Sequence, residues 1–218
     1  ERRALITAGL QKTAKELGGQ VWHNADLLEE INYLVEYPTP LYGRIDEEFL
    51  DLPVPAVVTP MRDHQRYYPV RKEDGSLMPY FLTVRNGGDR AIRNVQIGNE
   101  RVLRARLDDA KFFFDGDRRK SLEGHREALS RINYQEGMGT MLDKSDRLVK
   151  LVEEIGEDWN FTDTEKSDVR RAAYLSKSDL ATGMVTEFTE LQGEMGKEYA
   201  LLDGEKPKVA AAIFEQYM

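Results

Sequence analysis

Residues 96–115, QIGNERVLRARLDDAKFFFD, can gather their apolar side chains on one side only as a helix. Stepping about 100° per residue puts Leu103, Leu107, Ala110 and Phe114 on one stripe, with Val102 and Phe113 at its margin. Arg101, Arg104, Asp108, Lys111 and Asp115 fall opposite, where Arg104 can pair with Asp108 at i,i+4 and Asp108 with Lys111 at i,i+3. Asn99 is a capping residue type and Glu100 supplies an acid to the first turn, so the helix is predicted to start near Glu100. Arg106 falls inside the apolar arc. An unpaired guanidinium there is costly, so it must meet a carboxylate, snorkel or bind a ligand. Phe112, Phe113 and Phe114 read as core.

The chain on the N-terminal side has a different texture. Residues 3–17 are helical in pattern and end at Gly18 and Gly19; residues 24–36 carry Leu27, Leu28, Ile31, Leu34 and Val35 at helical spacing until Pro38 and Pro40 break them. A short helix is expected over 45–51. Strands are expected over 56–59, 65–70 and 80–85, the last two joined by a hairpin turn at Asp74-Gly75. Beyond Glu100 the pattern is helical throughout, over 100–115, 120–134, 138–156, 163–182, 184–202 and 207–217. Thr162 with Glu165 forms a capping box, and Gly204 with Pro207 separates the last two helices. The expected fold is α+β: a helix-and-antiparallel-sheet region over residues 1–98 and an all-helical region over residues 99–218. Trp22 and Trp159 read as hydrophobic anchors, and Gly193 and Gly196 as close-packing points between helices.

A chain of 218 residues can bury one large or two ordinary cores. It has no cysteine, which excludes disulfides, thiolate metal sites and a cysteine nucleophile. No apolar run approaches the roughly twenty residues that span a bilayer, and no charged-then-apolar leader opens the sequence, so neither a membrane span nor a secretion leader is expected. The Gly-rich phosphate loops and the GxSxG nucleophile elbow are absent as well.

The net charge is −8, which argues against a protein that coats nucleic acid with its whole surface. Its distribution is uneven. Between Arg62 and Arg106 ten basic residues, nine of them arginine, face five acidic ones. Arginine forks onto phosphates and stacks on bases, so a local basic zone on an acidic chain reads as a binding site. In MRDHQRYYPV, strand alternation would set Arg62, His64, Arg66 and Tyr68 on one face, offering cations, an imidazole and an aromatic ring to an RNA strand. Ordinary sheet packing, with Tyr68 buried and the arginines paired to acids, fits the same pattern. Arg85 and Asn86 at a strand end, and Arg101 and Arg104 on the helix, complete the candidate RNA-binding set.

One resemblance sharpens this reading. GNERVLRARLDDAKFFFDGD resembles a segment of the beta subunit of the bacterial heterotetrameric glycyl-tRNA synthetase, and the likeness extends over nearly the whole chain. Upstream, DLLEEINYLVEYPTPLYGRIDEEFLDLPVPAVVTPMRDHQRYYPVRKEDG and FLTVRNG are similar to that family in order and spacing; downstream, YQEGMGTMLDKSDRLVKLV, KSDLATGMVTEFTELQGEMGKEYA and AAAIFEQYM are too. The family protein is longer, so this chain is expected to be a middle piece, and Glu1 in place of an initiator Met agrees with that. The family places glycine activation in a separate alpha subunit. The resemblance therefore implies a non-catalytic, tRNA-binding and scaffolding piece of a cytoplasmic glycine-tRNA ligase, with glycine-specific tRNA and the alpha subunit as partners and no cofactor. It also implies that the helical half is similar to HD-type phosphohydrolase domains, which hold a metal with a His, an adjacent His-Asp pair and a later Asp. Here the histidines are His23, His64 and His125, none followed by Asp, and the only adjacent pair is the reversed Asp63-His64. Asp179 stands where the late acid would be, and it reads as a surface or helix-capping acid; no metal site is expected. A pure subunit-association module and an HD-type metal phosphohydrolase are the alternatives, the second disfavoured by the histidine census.

Overall fold

A computed structural model describes all residues, 1–218, in two compact units, Glu1–Lys111 and Phe112–Met218. The first unit opens with α1 (Arg2–Glu16), which stops where Gly18 takes φ +78°. After β1 (Gln20–Val21) comes α2 (Ala25–Leu34), capped by Asn24, whose side chain accepts from Leu27 N at 2.8 Å. Strand β2 (Pro38–Arg44) follows, then a 3₁₀ turn (Glu47–Asp51), helix α3 (Val54–Thr59) and a π-type turn (Pro60–His64). Strands β3 (Tyr68–Arg71) and β4 (Leu77–Asn86) form the expected hairpin. Gly75 takes φ +86° and Asp74 Oδ1 accepts from Ser76 N at 2.9 Å, which are the geometries that select Asp-Gly at a turn.

The sheet is antiparallel throughout, in the order β1-β3-β4-β2. Ile6, Leu10 and Ala14 of α1 and Leu27 and Ile31 of α2 pack with Tyr68, Val70 and Leu82 of the sheet into one core. Two strands were not expected. β2 carries Pro38 and Pro40, which read as breakers, but β2 is an edge strand and an edge tolerates a residue without an N–H.

The expected strand over 56–59 is a helix. Ala56, Val57, Val58 and Thr59 are buried whichever way they point, so burial overrides the strand preference of the valines, and Pro55 lies in the first turn, where its missing N–H costs nothing. Pro60 then removes a hydrogen-bond donor, and the helix widens into the π-type turn. Arg62 and His64 are thus on a helical turn, and the period-2 alternation proposed for MRDHQRYYPV does not exist. Arg66, at φ +59°, reverses the chain into β3.

Helix α4 runs Ile92–Asp117, starting about two turns before Glu100, so Asn99 is not its cap. Leu103, Leu107 and Ala110 are buried as expected. Arg106 snorkels: its side chain is 41% exposed, with Asp109 at 4.0 Å. Phe112, expected in the core, is 73% exposed.

In the second unit α5 (Leu122–His125) passes into a 3₁₀ turn (Arg126–Arg131), a two-stranded hairpin of β5 (Asn133–Gln135) and β6 (Gly139–Thr140), and α6 (Met141–Asp158). Capping boxes at Thr140/Asp143 and Thr162/Glu165 start α6 and α7 (Asp163–Leu175). The expected continuous helices over 163–182 and 184–202 are broken. A 3₁₀ turn occupies Ser178–Ala181, α8 is only Gly183–Glu187, and Gly193 at φ +82° precedes α9 (Glu194–Leu202). Helix α10 (Pro207–Glu215) is last. Trp159, expected as an anchor, is 72% exposed. The unit is mostly helical with a small hairpin, so the fold as a whole is mixed helix and antiparallel sheet. No helix is long and apolar enough to cross a membrane.

Gly43 of β2 stands opposite Phe81 of β4, and a Cβ there would overlap the Phe81 ring, which is fully buried and stacked on Tyr67 at 4.4 Å. Gly43→Ala is expected to destabilise the protein by about 1–3 kcal/mol through overpacking, read as a lowered denaturation midpoint with unchanged m-value.

Candidate nucleic-acid interface

The eight residues of the candidate RNA-binding set all lie in the first unit, but they do not form one surface. Arg62 Nε lies 3.4 Å from Asp63. Arg66 Nε meets Glu30 at 2.8 Å, and its Nη1 donates to the Asp63 carbonyl. His64 is half-buried on the same turn. Tyr68 is 1% exposed and belongs to the core, so its ring offers no stacking face. Beside it, burial pushes the Tyr67 phenol up to about 12.

The β4 end is also committed. Asn86 Oδ1 accepts from the backbone N of Glu36 at 3.1 Å and of Tyr37 at 3.0 Å, tying the α2–β2 turn to the sheet. Arg85 Nη1 donates to the Arg90 carbonyl at 2.7 Å, and the Arg71 guanidinium lies over the Trp22 ring at 4.0 Å. On α4, Arg104 meets Asp46 at 2.7 Å and Asp108 at 3.9 Å; the tighter partner comes from outside the helix.

Arg101 differs from these. It is exposed, with no ion pair, and so are Arg90 and Arg93, which the candidate set omitted. Arg93 and Arg101 stand two turns apart on neighbouring parts of one α4 face, roughly 12 Å along the axis. Gly98 between them has open space where a side chain would be, which permits close approach. Arg93 was missed because the helix was expected to start after it, although the local charge census already contained it.

In the second unit the informative polar groups are buried. Asp117, 7% exposed, accepts from Gly183 N at 2.7 Å, Met184 N at 2.9 Å and the Tyr199 hydroxyl at 2.8 Å, and thereby ties the end of α4 to the start of α8. His125 Nε2 lies 3.0 Å from the Asp117 carbonyl. Asp179 is not a surface acid but fully buried, because the segment 178–182 folds inward as a 3₁₀ turn instead of continuing α7. Gly193 N donates to its Oδ2 at 2.6 Å, and Oδ1 has no partner. Burial raises its carboxyl to about 6, against the lowering effects of the Gly193 N–H and the Lys177 charge. Tyr217, whose phenol is raised by burial and by Asp179, and Tyr199 are the other titratable groups that feel it. No three His, Cys, Asp or Glu side chains come together in a way that could hold a metal.

The family description "Glycyl-tRNA synthetase beta subunit" matches residues 1–218. The chain is similar to proteins named glycine–tRNA ligase beta subunit. It is 50% identical over 218 residues to that of Halothermothrix orenii, covering 100% of this chain and 32% of the relative. The identity to the Clostridioides difficile protein is 50% over 218 residues, covering 100% and 31%. To the Bacillus subtilis protein it is 44% over 217 residues, covering 100% and 32%. The chain thus spans about a third of the length of these relatives.

Because the folded carboxyl of Asp179 titrates above the usual carboxylate value of 3.8, its contribution to stability is fully present below that value and is lost as pH rises through about 6. Keeping it ionised costs on the order of 3 kcal/mol. Asp179→Asn retains the acceptor for Gly193 N and removes the charge. It is expected to stabilise the protein by about 1–3 kcal/mol at pH 8 and to flatten the loss of stability between about pH 4 and pH 6, measured by urea unfolding across that range.

Proposed function

The chain belongs to the glycyl-tRNA synthetase beta subunit family, and from that premise we propose that it is a non-catalytic, tRNA-handling part of a cytoplasmic glycine-tRNA ligase that works with an alpha subunit. The observation that carries the proposal is the set of unpaired cations on and just before α4. Arg90, Arg93 and Arg101 are exposed without ion pairs, whereas Arg62, Arg66 and Arg104 are already matched to acids. Phosphates of glycine-specific tRNA are the ligand that such a face suits, since a guanidinium binds a phosphate oxygen pair through two parallel hydrogen bonds. Arg85 and Asn86 act beside it mainly by shaping the neighbouring backbone, His64 shares the turn of Arg62, and Arg62, Arg66 and Arg104 contribute where a phosphate displaces their carboxylate.

We read the chain as a helix-and-sheet part over residues 1–98 and an HD-like helical part over residues 99–218; the RNA-facing cations straddle that boundary, Arg90 and Arg93 before it and Arg101 after it, and the rest of the helical part scaffolds. The helical part works without the metal chemistry of HD-type hydrolases. Its one histidine, His125, does not precede an aspartate, and the buried Asp117 and Asp179 accept from backbone N–H groups and a phenol, Asp179 through one oxygen only.

Binding of glycine-specific tRNA by this chain is expected to weaken steeply with salt. Arg93→Ala and Arg101→Ala should each reduce the slope of log affinity against log salt by about 0.7–0.9, and Arg104→Ala by less, because Asp46 already neutralises it. A filter-binding titration at four salt concentrations measures this, and unchanged slopes in the Arg93/Arg101 double variant would transfer the arginines to a subunit contact. Glycine-dependent ATP–pyrophosphate exchange by the chain alone is expected at background; a clear signal in a preparation free of alpha subunit would overturn the accessory role.

A further inference from the structure

A cavity of about 400 Å³ opens beside α4, between that helix and the segment running from the end of β2 into the 3₁₀ turn. Three arginines, Arg44, Arg101 and Arg104, surround it together with two acids, Asp46 and Glu100. Both acids are engaged by the protein itself. Asp46 holds Arg104 at 2.7 Å, while Glu100 Oε1 accepts from Arg44 N at 2.9 Å and from Gln96 Nε2 at 3.1 Å. Two exposed guanidiniums therefore remain without an acidic partner: Arg101, and Arg44, which lies 5.9 Å from the Tyr80 ring centre.

Beneath these charges the lining is apolar. Phe49, Leu103 and Leu107 are essentially fully buried and back the cavity, so the apolar surface it offers to a ligand is that of Ile97, which is 43% exposed. A volume near the lower end of the range for small-ligand sites is too small for a helix or a folded peptide, and it accommodates a planar ring with a charged group attached. A nucleotide has that form: a base that gains by leaving water for an apolar surface, and a phosphate that requires cations at its edge. Single-stranded RNA is recognised through bases splayed out in this way.

We propose that this cavity seats one unstacked nucleotide of a single-stranded RNA segment, its base against Ile97 and its phosphate on Arg101 and Arg44. The inference rests on the tRNA-handling reading and deepens it, because it turns a track of phosphate contacts into a site that also holds a base. Arg93, two turns before Arg101 on α4, binds the neighbouring backbone and takes no part in the cavity.

The two contributions differ in salt dependence, so they can be separated experimentally. Burial of a base on aliphatic carbon releases no counterions, whereas each phosphate contact does. Ile97→Asn in the 218-residue chain is expected to lower affinity for glycine-specific tRNA about fivefold with an unchanged salt slope, and Ile97→Val to retain most of the affinity. Arg93→Ala is expected to lower the slope. Ile97 is nearly half exposed, so its thermal midpoint should change little, which separates loss of binding from loss of folding. A single-stranded oligoribonucleotide carrying 2-aminopurine should brighten on binding the wild type, as that base leaves its stack, and not on binding Ile97→Asn. Unchanged affinity and unchanged brightening in Ile97→Asn, with Arg93→Ala still lowering the slope, would overturn the cavity and leave the phosphate track standing. Absence of salt-dependent tRNA binding by the wild type would remove both.

Discussion

Strand β4 is where the first unit is anchored. Phe81 and Leu82 are adjacent and point to opposite faces, and both are fully buried. Leu82 joins the core built by α1 and α2, while Phe81 stacks on Tyr67 and fills the space left by Gly43. A slip of one residue would exchange those two environments, so the register is held from both sides. The pairing of β2 with β4 from Pro38/Asn86 to Arg44/Tyr80 follows from it, and so does the position of Arg44 beside the α4 cavity.

The charges of the unit are sorted by what packing leaves near them. Arg66 finds Glu30 of α2, Arg104 finds Asp46 ahead of the 3₁₀ turn, and Arg71 lies over Trp22. Such exposed pairs add little stability each, but they remove cations from the set that an anion can reach. Arg93 and Arg101 are left over because no acid stands three or four residues from either of them on α4, whereas Arg104 has Asp108 and Arg106 has Asp109. A patch of unpaired cations on an acidic protein thus arises where internal neutralisation stops.

The second unit handles polarity in the opposite way, by burying it. Asp117 satisfies two N–H groups at the start of the short α8 and the Tyr199 hydroxyl, so it behaves as a cap delivered from another helix. Asp179 does the same for Gly193 with one oxygen and leaves the other unpaired, and its burial raises its proton affinity. Both acids hold together a run of short helices that hydrogen bonding along the chain alone would not fix.

The sequence by itself determined the local grammar of this protein. Asn24 capping α2, the Asp74-Gly75 turn, the Thr162/Glu165 capping box and the buried stripe of Leu103, Leu107 and Ala110 all depend on neighbours within a few residues. The family was legible too, since the matching segments run nearly the full length. Of the candidate site, the basic character of the zone and the exposure of Arg101 were readable from the charge census and the helical wheel. Only the tertiary structure decided that Val57 and Val58 lie in a helix, that Pro38 and Pro40 sit on an edge strand, that Tyr68 is core and that Asp179 is buried. It likewise chose which arginines meet an acid from a distant segment, as Arg66 meets Glu30. The physical reason is common to all of these. Burial and ion pairing are made with residues far away in the chain, and the free energy of such contacts exceeds the differences of a few tenths to about one kcal/mol by which local propensity separates helix from strand.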